Sequence, residues 1–387
     1  MKKPLVLLAG IGGYGRNYLN EFLAAKDPPF VFSGAADPFA ANSPKFAEIK
    51  ERGIPVFNSP DEYYASGGRS DLLVIASPIH THYSYIMTGF KNGSNVLCEK
   101  PVTGNLERLD DLIANEKKSG LFCAIGFQAC YAPDTLALKK DIMDGLFGRP
   151  LGFKAIHLPG RGDSYYSRNN WAGRLAVEGE TILDSPLNNA CSHDLQLMLF
   201  LLGNETDRSV EVASVEAELW QARPDIENFD AVSMRIDTRA GIHIYFYTAH
   251  CVNTPPGSNV TGEFKFEKAL IRWGENPEYN FKVYFNDGRE KIYSEQGSTN
   301  VEKKFYDSLE SLNTGKPPVC TLRTVRDHLR CVAKAQKFPI KKISAEKLKY
   351  EKNTKIDDPM YYVPGLAEAF IKSYSENALP SEIGFEF

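Results

Sequence analysis

Two stretches of the chain carry side chains whose types and spacing could move a proton. The first is Val96-Leu97-Cys98-Glu99-Lys100-Pro101, an apolar run that stops at an acid, a base and a proline. Entered through Asn92-Gly93 and Asn95, the run reads as a buried strand. Lone charges are very costly inside an apolar core, so Glu99 and Lys100 belong where the strand leaves the sheet. In an open α/β sheet that end is where ligands bind. A lysine held there could shuttle a proton; the plain alternative is a surface Glu–Lys pair before a turn. Pro101 fixes φ and removes a donor, and X-Pro bonds are the ones that can be cis. The second stretch runs from Asp184 through Asn188, Asn189 and His193 into an apolar helical segment stopped by Gly203. Asn189 and His193 are four apart, so a helix would place them on one face. His193 is then either a structural polar residue or a general base working near neutral pH.

A third stretch could hold a nucleotide. Gly10-Ile11-Gly12-Gly13-Tyr14-Gly15 lies between an apolar strand at 5–9 and an amphipathic helix at 16–25. G-x-G-x-x-G is weak by itself, and the strand–loop–helix context is what gives it meaning. Gly10 would allow the tight turn, Gly12 the approach of a pyrophosphate, and Gly15 close helix packing, with the helix N-terminus facing the phosphates. A second strand, 30–36, ends at Asp37, an acid that can accept from both ribose hydroxyls and repels a 2′-phosphate. NAD is therefore expected over NADP, although Asp37 before Pro38 could also be a turn-former. His80 and His82 lie two apart after a strand at 71–76 and could suggest a metal. Nothing elsewhere supplies a third ligand, so Ser77, Pro78 and His82 are read as a loop lining the cofactor groove, with no metal.

These residues need a scaffold that presents strand ends. Strands at 5–9, 30–36, 55–57, 71–76, 96–98 and 121–127 alternate with helices at 16–25, 43–52, 83–91 and 106–119. That alternation predicts a parallel, doubly wound sheet. After Pro133 the rhythm changes. A helix at 136–144 is followed by strands at 153–158, 210–221, 231–237, 242–249, 263–272 and 281–285, several alternating polar and apolar side chains. Such strands suit an antiparallel sheet with one face covered and the other available to a ligand or partner. Helices at 301–314, 324–336 and 367–375 complete a second, α+β domain. The expected division is 1–127 for the nucleotide-binding domain and 128–387 for substrate binding and oligomerisation.

The totals exclude several classes. The 387 residues suffice for two domains, and a net charge of -4 gives no basic stripe for a nucleic acid. No apolar run approaches bilayer length, and Pro4 interrupts the short apolar start, so no membrane or signal segment is read and a cytoplasmic location is expected. Seven cysteines without a C-x-x-C pair suggest neither a disulfide framework nor a zinc site. The stretch 161–174, with Tyr165, Tyr166, Arg168, Asn169, Asn170, Trp171 and Arg174, suits a hydroxylated ring or a sugar acid, or is a solvated loop.

Taken together, these motifs resemble the glucose–fructose oxidoreductase / inositol dehydrogenase (Gfo/Idh/MocA) family over nearly the whole length. The resemblance rests on Gly10 to Gly15, Ser77-Pro78 with His82, Glu99-Lys100-Pro101, Gly126-Phe127-Gln128, Gly145-Leu146-Phe147-Gly148, and His193 ahead of Leu201-Leu202-Gly203. It implies a Rossmann domain followed by an open-faced, mainly antiparallel sheet, usually in dimers or tetramers joined through that sheet. It also implies NAD or NADP as cofactor and a sugar, cyclitol or related polyol as substrate. On this resemblance Gly10, Gly12, Gly13, Tyr14, Gly15, Asp37, Ser77, Pro78, His82, Glu99, Lys100 and Gln128 would contact the cofactor. Lys100, Arg168, Asn170, Trp171, Asn188, Asn189 and His193 would contact the substrate, with Lys100, His193 and Asn189 in the catalytic roles. The family's aspartate four residues before the histidine falls on Asn189, which adds no negative charge to raise the pKa of His193. Cys130 stands where many members carry arginine.

The expected function is an NAD-dependent dehydrogenase of a secondary alcohol on a sugar or polyol. Two other readings use the same residues. One is an NAD-dependent glycoside hydrolase working by transient oxidation, and the other a non-catalytic nucleotide-binding regulator, which Asn189 would permit.

Overall fold

A computed structural model describes residues 2–253, 260–294, 301–353 and 356–385. The chain folds as two compact units, Met1–Ala132 with Gly297–Arg326, and Pro133–Gln296 with Asp327–Phe387.

In the first unit six short strands form one parallel sheet: β1 (Leu5–Ala9), β2 (Val31–Ala36), β3 (Val56–Phe57), β4 (Leu72–Ile75), β5 (Asn95–Cys98) and β6 (Cys123–Ile125). Their order is β3-β2-β1-β4-β5-β6. The order reverses between β1 and β4, the point where such sheets bind dinucleotides. β4 is Leu-Leu-Val-Ile and wholly buried, as a strand covered on both faces must be. The helix Leu106–Ser119 matches its expected bounds because both ends are written in the sequence. Asn105 accepts from the backbone N–H groups of Glu107 and Arg108, and Gly120 closes the helix at φ 70°. A short helix, Pro60–Ala65, was not anticipated, although Ser59 caps it and Pro60 opens it.

The single boundary at 127/128 does not describe this unit. The helix Val301–Thr314 belongs to it, placing Phe305 and Leu309 in a core with Val6, Leu8, Tyr18, Phe22, Phe30, Val74 and Leu97. Phe305 lies 4.7 Å from the ring of Phe22 and 5.1 Å from that of Phe30.

The second unit is built on β7 (Pro150–His157), β10 (Val212–Gln221), β11 (Ala231–Thr238), β12 (His243–Ala249), β13 (Thr261–Phe266), β14 (Ala269–Asn276), β15 (Tyr279–Phe285), β16 (Glu290–Tyr293) and β17 (Ile340–Lys342). Two small hairpins, β8 (Ala176–Val177) with β9 (Glu180–Thr181) and β18 (Lys349–Asn353) with β19 (Asp358–Tyr362), stand apart. The nine strands run in the order β16-β15-β14-β13-β7-β12-β11-β10-β17, antiparallel except for the β7–β12 and β10–β17 pairings. The strand expected at 263–272 is really the hairpin β13–β14, turned at Glu267-Lys268. β16 to β19 were not anticipated.

Register separates the two faces of this sheet. The row Ile236–Ile244–Phe153–Phe264–Ile271–Val283 is buried throughout. One residue along each strand, and so on the opposite face, runs Glu216–Arg235–Tyr245–Lys154–Glu263–Arg272–Lys282. This second row is a ladder of charged residues interrupted by Tyr245, with Lys154 3.4 Å and Arg272 3.8 Å from Glu263, and Arg235 bonded to Glu216. The helix Leu366–Glu376 covers one end of that face, packing Leu366 and Phe370 on Trp220 and Tyr247.

Candidate active site

The glycine loop is shaped by steric need at two of its positions. Gly10 has φ +85°, and a Cβ there would meet the Ser77 nitrogen at 2.6 Å; a Cβ on Gly15 would meet the Gly10 carbonyl oxygen at 2.0 Å. At Gly12 a Cβ would meet nothing within 4 Å, so that glycine leaves space above the loop rather than within the fold. The helix Gly15–Ala24 carries no acid in its first turn, which keeps its N-terminus favourable to an anion. Asp37, half-buried at the end of β2, accepts from the Ile11 N–H at 2.9 Å and the Phe39 N–H at 2.8 Å. It therefore fixes the loop, and its remaining lone pairs can accept from ribose hydroxyls. The exposed Tyr14 donates to Gln128 at 3.3 Å, joining two expected cofactor residues.

Behind the loop, His82 is a brace. It is buried, with Nδ1 2.9 Å from the Pro101 carbonyl and Nε2 2.9 Å from the Ser77 carbonyl. Burial, outweighing the two carbonyls, lowers its pKa. The neutral ring carries one N–H and so donates to one of these carbonyls while lying against the other, between the loop after β4 and the corner after β5. Ser77 Oγ in turn lies 2.6 Å from Thr81 Oγ1, and Pro78 is exposed beside it.

At the corner itself the Lys100–Pro101 peptide is cis, and Lys100 is half-buried. Glu99 is buried and accepts from the Tyr18 hydroxyl at 2.7 Å and from Lys304, which is wholly inaccessible to solvent. Lys304 also lies 3.2 Å from the Tyr14 hydroxyl. A Cβ at residue 126 would sit 2.7 Å from Glu99 Oε2, which explains Gly126. Glu99 was expected at the cofactor; the structure makes it the inner half of a buried ion pair beneath the glycine loop, and its partner was not foreseen.

In the second unit His193 is the second residue of the helix Ser192–Leu201 and is half-buried. Asn189 lies before that helix rather than on its face, in a tight turn bonding its N–H to the Ser185 carbonyl at 3.0 Å. Its amide donates to Asp184 at 2.8 Å, and the other oxygen of Asp184 accepts from the Gly173 N–H at 2.6 Å. An acid is thus present here, bonded to Asn189. Asn188 was expected at the substrate, but it is wholly buried and donates to the Ile182 carbonyl at 2.8 Å. The C-terminal end of the helix is capped by buried Lys139, which donates to the carbonyls of Phe200, Gly203 and Arg208.

Beside His193, Asp194 lies 2.6 Å from His157 Nδ1. Burial alone would lower the pKa of His157, but the bond to Asp194 and the neighbouring Cys191 raise it to about 10. His157, Cys191 and Asp194 are the described residues with metal-ligand spacing, their donor atoms all within 4.8 Å.

The loop 161–174 lies in the same neighbourhood. The Tyr166 hydroxyl is 2.9 Å from His250 Nδ1. Arg168 stacks 3.5 Å over Tyr165 and 5.0 Å over Trp171, while Asn170 is exposed. Burial, then Asp184, raise the pKa of Tyr165, which links this loop to the Asn189 turn. Of the residues missed in the sequence, Asp194 was detectable as an acid beside His193, whereas His157 and Lys304 carried no local signal.

Comparison with known proteins agrees with this fold. Residues 5–127 match the family described as "Oxidoreductase family, NAD-binding Rossmann fold". An inositol 2-dehydrogenase of Klebsiella pneumoniae (strain 342) is 31% identical over 167 residues, 43% of this chain and 42% of that protein. A scyllo-inositol 2-dehydrogenase (NAD(+)) of Bacillus subtilis (strain 168) is 27% identical over 147 residues, 38% of this chain and 42% of that protein. The chain thus spans 42% of the length of each of these curated relatives. The solved WlbA dehydrogenase from Bordetella pertussis, in complex with NADH and UDP-GlcNAcA, has a TM-score of 0.69 at 20% identity, covering 88% of this chain and 100% of that one, a likeness of fold. Over residues 5–127 the chain is thus similar to the Gfo/Idh/MocA oxidoreductase family, whose match there is an NAD-binding Rossmann fold.

Proposed function

We propose that the protein is an NAD-dependent dehydrogenase acting on a secondary alcohol of a sugar, cyclitol or related polyol. The observation that carries this reading is the first unit's cradle: the glycine loop bonded to Asp37, with Glu99-Lys100-Pro101 leaving the same sheet at the end of β5. The residues fit a dinucleotide, since Gly12 leaves space, the helix start lacks an acid and Asp37 retains acceptor capacity. NAD supplies the hydride acceptor; the protein supplies geometry and electrostatics.

In this reading His193 takes the hydroxyl proton as general base. Lys100 hydrogen-bonds the same oxygen and stabilises its developing negative charge. Asn189 positions the ring, itself oriented by Asp184. Asp37 favours NAD, because a 2′-phosphate would meet its carboxylate. Lys100→Met removes the charge and the donor, so turnover should fall at least about 100-fold while NAD binding persists. Unchanged turnover in that variant would remove Lys100 from the mechanism.

Among the relatives' names inositol recurs, which supports a polyol as substrate. We further place self-association on the charge ladder of the nine-stranded sheet, in a homodimer or homotetramer. Light scattering at rising salt tests this; a monomer at every ionic strength would refute it.

A further inference from the structure

Around the loop 161–174 the carboxylates have other partners, Asp184 accepting from the Gly173 N–H and the Asn189 amide. Asp163 bonds Arg223 and Tyr350, Glu227 bonds Arg174, Asp194 bonds His157, and Asp230 accepts from the N–H groups of Ala222 and Arg223. Two guanidinium groups remain with no carboxylate within ion-pair distance among the described residues: Arg161 and Arg168. Arg161 Nε is buried and without a hydrogen-bond partner among the described residues. Its guanidinium lies 5.2 Å from the Tyr165 ring, on which Arg168 also stacks at 3.5 Å. Arginine cannot shed its proton, so both charges persist at any working pH.

The neighbouring groups respond to this excess. His250, whose carbonyl accepts from the Arg161 N–H at 3.0 Å, has its pKa driven well below the ordinary value by burial and then by Arg161, Arg168 and His157. It stays neutral, with Nδ1 2.9 Å from the Tyr166 hydroxyl. Two guanidinium cations thus share the Tyr165 ring, next to the turn that holds Asp184 and Asn189. A buried N–H with no acceptor costs on the order of 1–3 kcal/mol unless something supplies one. A guanidinium fork is matched by the two oxygens of a carboxylate or phosphoryl group.

We propose that Arg161 and Arg168 form an anion subsite of the substrate site, so that the substrate is an acidic sugar or polyol rather than a neutral one. The proposal rests on the dehydrogenase reading for the word substrate, but the subsite can be tested without turnover. Binding would be measured calorimetrically on the NADH-saturated protein with matched pairs: glucuronate and glucose, galacturonate and galactose, gluconate and sorbitol. Glucose 6-phosphate and inositol phosphate, each beside its neutral parent, separate a phosphoryl from a carboxylate source.

The expected result is at least one anion bound about 30-fold or more tightly than its neutral partner. Arg161→Met and Arg168→Met should each erase most of that ratio, and Arg161→Lys, which keeps charge but not the fork, should retain part of it. If no anion exceeds its neutral partner by about tenfold, or if the Met variants weaken both members of a pair equally, the subsite is refuted. An unfolded Arg161→Met would leave the wild-type ratio and Arg168→Met to decide. Anion binding without NADH formation from that ligand and NAD would instead overturn the dehydrogenase reading and leave the subsite standing.

Discussion

Glu99 and Lys304 are 205 residues apart in sequence and form one buried pair. Removing only the base strands a carboxylate inside the core, so Lys304→Met should lower stability by about 3–5 kcal/mol in urea unfolding. Adding Glu99→Gln should recover much of that loss; no recovery would mean that the pair is not the cause. The His157–Asp194 pair makes a prediction in pH. The folded pKa of His157 is about 10 against an ordinary 6.5, so its stabilisation is complete below about 6.5 and lost as pH rises through about 10. Wild-type melting temperature should fall across that window, and Asp194→Asn should flatten the decline while lowering stability at neutral pH. An identical slope in both proteins would dissociate the pair from pH. Glu99, Lys100 and His193 could be singled out in the sequence because they lie in contiguous motifs. Lys304 and His157 could not, because folding alone brings them to their partners. Nor could the burial of Asn188 be read, because a buried amide and an exposed one look alike in sequence.

At the scale of elements, local signals decided what could be anticipated. The strand–loop–helix at the start declares itself through an apolar run and glycines whose spacing has a steric cause. Gly12→Ala and Gly15→Ala should therefore separate. The first adds a methyl group to open space and should leave the fold intact while weakening NAD binding by about tenfold or more, since it intrudes on the phosphate approach. The second drives a Cβ into the Gly10 carbonyl and should destabilise the unit itself. Equal melting temperatures for both would contradict this division. The hairpin β13–β14 was read as one strand because Glu267-Lys268 lacks the glycine or asparagine that usually marks a tight turn. Likewise Asn189 was placed on a helix from its spacing to His193, whereas the helix starts at Ser192.

At the scale of the molecule, alternation of strand and helix made the first sheet legible, and alternation of polar and apolar residues made the second. What composition could not reveal was the return of 297–326 to the first unit, since that segment reads as an ordinary amphipathic helix wherever it packs. Among the described residues no helix is long and apolar enough to cross a membrane. The central claim is that the protein oxidises a secondary alcohol at the expense of NAD, with Lys100 in the mechanism. The most direct test is reduced-nicotinamide absorbance of the pure protein with NAD across sugars, cyclitols, sugar acids and glycosides, run beside Lys100→Met. Net NADH from a free sugar, sugar acid or polyol, lost in Lys100→Met although NAD still binds, is the predicted result. A flat trace on every substrate, or full activity in Lys100→Met, would contradict it.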